Sequence, residues 1–144
     1  MTHRFEGRCH CGNIQIELNL GGAPGAHAPR TCDCDFCRKH GASYVSDAHG
    51  SLRIRIERPA DSAYYRQGSG QAEFLLCGKC GVLVAVLHRS DGRLYGTVNG
   101  NVTDRRDEFA AAARVSPKTL SAIEKTRRWQ ELWFSDVTLD NAEA

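Results

Sequence analysis

Ala72-Glu73-Phe74-Leu75-Leu76-Cys77-Gly78-Lys79-Cys80-Gly81-Val82-Leu83-Val84-Ala85-Val86-Leu87-His88 is the stretch on which the reading of this chain turns. Ala72–Leu76 and Val82–His88 are apolar runs of strand length. Between them stand two cysteines three positions apart. One turn of this kind can aim two sulfurs at a single metal ion about 2.3 Å away. The glycine behind the second cysteine gives the backbone room to make that turn. The stretch therefore reads as two strands joined through a metal-ligating knuckle.

The same grammar extends outward. Asn13-Ile14-Gln15-Ile16-Glu17-Leu18 and Leu52-Arg53-Ile54-Arg55-Ile56-Glu57 alternate polar and apolar residues, the pattern of half-buried strands. Ala63–Gln67 and Leu94–Val98 also read as strands, and Ser90-Asp91-Gly92-Arg93 is a hairpin turn. Residues 21–29, Gly-Gly-Ala-Pro-Gly-Ala-His-Ala-Pro, form a flexible loop. Residues 1–100 are thus expected to be short antiparallel strands. After about residue 103 the pattern changes. Asp104 is placed to cap a short helix through Phe109 and Ala110–Ala113, and Ser116-Pro117 to start a second helix with Leu120, Ile123 and Leu132 on its apolar side. Lys125, Arg127 and Arg128 are read as a solvated helix face, Trp129, Trp133 and Phe134 as core, and Asp140–Ala144 as a frayed tail. The fold class is mainly β, with one or two short C-terminal helices. Residues 1–144 are taken as one domain, with a helical extension over about 104–139.

Composition sets limits on function. A chain of 144 residues suits one core. Leu, Ile, Val and Phe number only 29, so a staple beyond apolar packing is expected. Lys and Arg (19) nearly balance Asp and Glu (17), which argues against a nucleic-acid partner. The short apolar runs cannot span a membrane. The N-terminus, Met1-Thr2-His3-Arg4-Phe5-Glu6, lacks an apolar secretory segment, so the expected location is the cytoplasm. In that reducing compartment seven cysteines point to metal binding or thiol chemistry rather than to disulfides.

The cysteines fall into three groups, Cys9-His10-Cys11, Cys32-Asp33-Cys34-Asp35-Phe36-Cys37 and Cys77-Gly78-Lys79-Cys80. A structural zinc takes four ligands, and a catalytic zinc takes three and keeps one position open. Seven is the sum of the two. Cys11 and Cys80 are each followed by glycine, whereas Cys37 is followed by Arg38. This pairs Cys9 and Cys11 with Cys77 and Cys80 as a closed site. Cys32, Cys34 and Cys37 then form a three-thiolate site suited to an additional sulfur ligand. Arg38 and Lys39 are placed to offset its negative charge. Other divisions remain open: one zinc with three spare thiols, His10 or His40 as a ligand, or a second structural zinc closed by Asp33, Asp35 or His40.

Gly7-Arg8-Cys9-His10-Cys11-Gly12, Cys32–Lys39 and Phe74–Gly81, in this order, resemble the glutathione-dependent formaldehyde-activating enzyme family, whose domain also occurs in centromere protein V. The resemblance spans about residues 4–103. It implies a β-tent of antiparallel sheets stapled by zinc, two zinc ions per chain, structural ligands Cys9, Cys11, Cys77 and Cys80, and catalytic ligands Cys32, Cys34 and Cys37. It also implies a carbon–sulfur lyase that joins the thiol of glutathione to formaldehyde, giving S-hydroxymethylglutathione. Asp33 and Asp35 make this triad loop more acidic than is common in the family. The partner expected is a small thiol or aldehyde. The alternatives are a non-enzymatic zinc-binding interaction module and a redox or metal-handling protein. The oligomeric state is not legible.

Overall fold

Alternating sequence becomes two stacked sheets in a computed structural model that describes residues 2–141. The first sheet has four strands, β1 (Thr2–Arg8), β2 (Ile14–Gly21), β5 (Ser51–Ile56) and β11 (Val137–Asn141), in the order β1-β2-β5-β11. The second has seven: β3 (Arg30–Cys32), β4 (Ser43–Val45), β6 (Ser62–Tyr65), β7 (Glu73–Cys77), β8 (Leu83–Ser90), β9 (Arg93–Asn99) and β10 (Ala113–Val115). Their order is β10-β3-β4-β9-β8-β7-β6. The pairings are antiparallel except β10 with β3 and β11 with β5. The fold is mainly β, as the alternation required.

In the four-stranded sheet, Phe5, Ile16, Leu18, Leu52 and Ile54 point inward and are almost wholly buried. Arg4, Glu6, Glu17, Arg55 and Asp140 stand on the opposite face and pair with one another. The inward residues meet Val45, Leu75, Ala85, Leu87 and Val98 of the seven-stranded sheet in one core. The other face of that sheet carries Cys32, Tyr44, Phe74 and Val86 and is covered by a second cluster containing Trp129 and Trp133. Because β8 is covered on both faces, it reads as a continuous apolar run, without alternation. A register shift between Leu75 and Leu76 lets Val84 and Ala85 both serve the first core. The hairpin at Ser90–Arg93 closes as expected, with Asp91 at φ 52° and Gly92 at φ 76°.

The C-terminal third departs from the expectation. Asp104–Ala113 is not a helix but a single 3-10 turn at Arg106–Glu108 followed by extended chain. Phe109 stacks on Phe5 with ring centroids 5.2 Å apart, and the Arg105 guanidinium lies 4.5 Å from the Phe5 ring. Beyond it the N–H groups of Ala110 and Ala113 donate to the carbonyls of His27 and Pro29. Tertiary pairing overrides the helix preference of alanine, which is only a weak prior. The C-terminal helix α2 spans Ala122–Leu132 and starts at Ser121, whose side chain forms a capping box with Glu124. Pro117–Thr119 is a separate 3-10 turn. Ile123 and Leu132 are exposed on α2, and its buried side is Trp129, with Trp133 just beyond. Asp140 and Asn141, expected to fray, belong to β11, and residues 142–144 of that expected tail lie outside the described residues. Of residues 21–29, Gly21 ends β2 and residues 22–29 form the expected loop, around a 3-10 turn at Pro24–Ala26. No helix among the described residues is long and apolar enough to cross a membrane.

Gly7 is where the two ends of the fold touch. It bridges to Thr103, and a Cβ added there would lie 2.1 Å from the Val102 carbonyl oxygen. Gly7→Ala is expected to lower the unfolding free energy by about 1–3 kcal/mol, the usual cost of overpacking. Gly25→Ala, which meets nothing within 4 Å, is the control. Urea denaturation of both variants checks the difference.

Candidate active site and metal centres

Two groups of sulfurs converge. The Sγ atoms of Cys9, Cys11, Cys77 and Cys80 all lie within 4.8 Å of one another, and so do those of Cys32, Cys34 and Cys37. These all-cysteine sets are the groups of three or more possible metal ligands found among the described residues; His10, His40, Asp33 and Asp35 join neither. The free thiols form no disulfides.

The four-sulfur group is built from two hairpin connections. Cys9 and Cys11 lie between β1 and β2, and Cys77 and Cys80 lie at the turn from β7 to β8. Gly12 and Gly81 adopt φ 86° and 79°, so the glycine behind each second cysteine is needed for the turn. The N–H groups of Ile14 and Cys80 donate to the sulfurs of Cys9 and Cys77 at 3.3 and 3.4 Å. Cys9–Cys11 and Cys11–Cys77 sulfur separations are 3.8 and 3.5 Å. Four sulfurs around a tetrahedral zinc with bonds of about 2.3 Å would be about 3.8 Å apart, so this donor set fits the ion. Burial pushes Cys9 up to about 11. Burial also raises Cys80, but bonds from the N–H groups of Cys11 and Val82 outweigh it and hold Cys80 down to about 6. The connection at Arg58–Asp61 locks both knuckles. Asn13 accepts from the Arg58 N–H at 2.7 Å, and the Gly78 N–H donates to the Asp61 carbonyl at 2.7 Å.

The three-sulfur group is built differently. Cys32 ends β3, and Cys34 caps the helix α1 (Asp35–His40), its sulfur accepting from the Cys37 N–H at 3.4 Å. Where glycine follows the second cysteine the chain returns as a strand; where Arg38 follows, it continues as a helix that ends at Gly41, φ 62°. Tyr44 on β4 places its hydroxyl 3.0 Å from the Cys37 sulfur. The Cys37 hydrogen bond pulls Cys32 down to about 6, while that bond and burial push Cys37 up. Burial, then the neighbouring Cys37, raises Tyr44. Arg38 and Lys39, expected to offset the charge of this group, are exposed on α1, and Asp33 accepts a hydrogen bond from Ser116.

Cys32, Cys34 and Cys37 open onto a cavity of about 150 Å³; the four-sulfur group does not line it. The floor is the second face of the seven-stranded sheet, with Tyr44, Phe74, Val86 and Thr97. Trp129 and Trp133, stacked 4.9 Å apart, form a wall. The cations of the cavity are Arg30, Lys118, Lys125 and Arg128.

A family model described as glutathione-dependent formaldehyde-activating enzyme matches residues 4–118. The chain belongs to the glutathione-dependent formaldehyde-activating enzyme family. A crystal structure of a Rhodobacter sphaeroides protein is similar, at 26% identity and a TM-score of 0.54, over 76% of this chain and 99% of that one. No curated protein matches the sequence significantly. The family match runs past residue 103 and takes in β10 and Lys118, which border the cavity.

Within this family member, sequence reasoning placed the cysteines but missed Arg30, Tyr44 and Arg128. It took Lys125 and Arg128 as solvated, and the structure turns both into the cavity while Arg127 stays exposed. The signal was present. Positions 125, 128, 129 and 133 follow helical spacing toward one side, and Arg30 shares a strand face with Cys32.

A thiol with a pKa of about 6 is ionised at neutral pH and becomes protonated as the pH falls through that value. In metal-free protein, alkylation of Cys32 by iodoacetamide should hold near its plateau at pH 7 and fall about tenfold by pH 5. An ordinary cysteine, with a pKa of about 8.5, would already have slowed by pH 7. Peptide mass spectrometry across this range measures it.

Proposed function

We propose that the protein joins a thiol to an aldehyde at the Cys32–Cys34–Cys37 group, as a carbon–sulfur lyase of the formaldehyde-activating type, with glutathione and formaldehyde as the first reactants to test. Zinc is proposed at both cysteine groups: a closed ion at Cys9, Cys11, Cys77 and Cys80 that staples the fold, and an ion with a free position at the triad. One observation carries this reading. Three sulfurs converge within 4.8 Å and face a cavity that the complete four-sulfur set does not line. Both sites belong to a single domain, since β10 and β11 return the C-terminal third to both sheets. A reducing compartment such as the cytoplasm suits seven free thiols.

The reaction forms one carbon–sulfur bond. The substrate sulfur attacks the aldehyde carbon, and the thiol proton ends on the former carbonyl oxygen. Zinc at the triad would supply a soft Lewis acid that keeps a substrate thiol ionised at neutral pH. The chain's own residues do the rest. Tyr44 fixes the Cys37 sulfur and thereby its direction. Arg128, which lines the same cavity as Cys32, would offset the negative charge of three thiolates. The tryptophan wall makes one side of the cavity apolar and holds both reactants in a small volume, which replaces a bimolecular encounter by a local one.

Metal content by native mass spectrometry should give two zinc ions per chain. Cys34→Ser should lose one and keep the fold, because serine is itself a good helix cap in place of the Cys34 sulfur. Wild-type protein should speed formation of S-hydroxymethylglutathione in exchange NMR, and Cys34→Ser should not. A two-zinc protein that leaves that rate unchanged sinks this substrate pair.

Tyr44→Phe removes the hydroxyl at Cys37 while leaving the ring packed. Loss of an outer partner typically costs about 10–100-fold in metal affinity. Chelator competition should show one of the two zinc ions weakened about tenfold and the other unchanged.

A further inference from the structure

Arg30 opens β3 two residues before Cys32, so the two side chains leave one strand face about 7 Å apart at the backbone. Its Nη2 donates to the Ser46 hydroxyl at 2.7 Å and reaches Thr97 Oγ1 at 3.5 Å. Ser46 in turn donates to the carbonyl of Leu132, the last residue of α2, at 2.7 Å. The guanidinium is thus held in place by neutral hydroxyl oxygens, one of them anchored to the last carbonyl of α2. The ion pairs among the described residues engage Arg4, Arg55, Arg58, Arg66, Arg105 and Arg106, and Arg30 enters none of them. It is nonetheless half-buried and lines the cavity. Arg128 lines the same cavity. A half-buried cation next to another cation is an unfavourable arrangement until an anion joins it.

Charge counting shows which anion is missing. The described residues lining the cavity include Arg30, Lys118, Lys125 and Arg128 and no carboxylate. Three thiolates on a divalent ion would leave one negative charge, which one of these four cations is enough to answer. Arg30 is among those that remain over. Its planar fork matches a carboxylate in two parallel hydrogen bonds.

We propose that Arg30 selects the substrate: it receives a carboxylate carried by the thiol, whose sulfur then reaches the Cys32–Cys34–Cys37 group while the stacked Trp129 and Trp133 cover the carbon chain between them. This rests on the reading of that group as the place where sulfur reacts.

The chain has two tryptophans, and both line the cavity, so intrinsic fluorescence reports on this space. The probes are 3-mercaptopropionate, 2-mercaptoethanol and propionate, titrated into the protein as isolated at one pH and one ionic strength. The expected Kd for 3-mercaptopropionate is at least tenfold below that for 2-mercaptoethanol, and propionate alone should compete with it. In Arg30→Gln the two thiols should bind within twofold of each other, with 2-mercaptoethanol itself moved less than twofold. Equal affinity of the two thiols for wild-type protein, which needs no variant to fold, would overturn the proposal, as would a preference that survives in Arg30→Gln. The two readings fail separately. A carboxylate preference lost in Arg30→Gln, with thiol binding unchanged in Cys34→Ser, supports Arg30 and sinks sulfur chemistry at the triad. Thiol binding that depends on Cys34 but not on the carboxylate does the reverse.

Discussion

Cys11, in the connection between two strands of one sheet, and Cys77, at the end of a strand of the other, are separated by 66 positions, yet their sulfurs stand 3.5 Å apart. That meeting fixes the rest of the molecule. The connections β1–β2 and β7–β8 can converge only if the two sheets stack face to face with one end in register. Stacking in turn buries Phe5, Leu18, Ile54, Leu75 and Val98 against one another. The chain has few large apolar residues for its length, so this core is short of material. A structural zinc contributes on the order of 10 kcal/mol in small folds, and whole domains are stable by about 5–15 kcal/mol. A metal at the four sulfurs would therefore be comparable to the entire net stability.

The same stacking decides where chemistry can occur. The inner face of the seven-stranded sheet is occupied by core, and the outer face of the four-stranded sheet is a lattice of mutually paired charges. The face left over is the far side of the seven-stranded sheet. Cys32, Tyr44, Thr97, Val86 and Phe74 occupy neighbouring strands there, and the registers Arg30–Tyr44, Val86–Thr97 and Phe74–Val86 align them across the sheet. Helix α2 lies over this face but does not seal it, because bulky Trp129 and Trp133 hold it off at one side. A cavity between a rigid sheet and a helix suits a site that must keep three sulfurs fixed and still admit a ligand.

Much of this was legible in the chain. Period-2 alternation located β2 and β5, and the glycines behind Cys11 and Cys80 foretold the left-handed turns found there. What escaped was decided by long-range pairing. Ala110–Ala113 looks helical by propensity, yet Phe109 is drawn onto Phe5, 104 positions earlier in the chain, and the alanines are pulled straight. β10 and β11 are too short to carry a pattern of their own and exist because β3 and β5 offer open edges. Of the site, only the cysteines announce themselves locally. Tyr44 and Arg30 matter through cross-strand neighbours, and no single stretch of sequence contains that relation. The true start of α2 is a different kind of miss: Ser121-Ala122-Ile123-Glu124 is a capping box in plain view, passed over for the more conspicuous Ser116-Pro117.

The small net charge of +2 is the least informative number about this protein, because charge is not spread evenly. Six of the arginines are neutralised in ion pairs on exposed surfaces, where each pair contributes little to stability. Of the cations outside those pairs, Arg30, Lys118, Lys125 and Arg128 line one cavity of about 150 Å³. At that site a neutral chain presents a strongly positive pocket, and the low-dielectric tryptophan wall strengthens its field. A balance sheet of the whole sequence averages over this local excess of positive charge. The pocket's sign follows from position: Arg30 precedes Cys32 by two residues on one strand, and Lys125 and Arg128 sit one turn apart on the helix face that carries Trp129. Sulfur, cation and aromatic wall are thus placed by two short segments whose joint geometry depends on the four-sulfur clasp at the other side of the sheet.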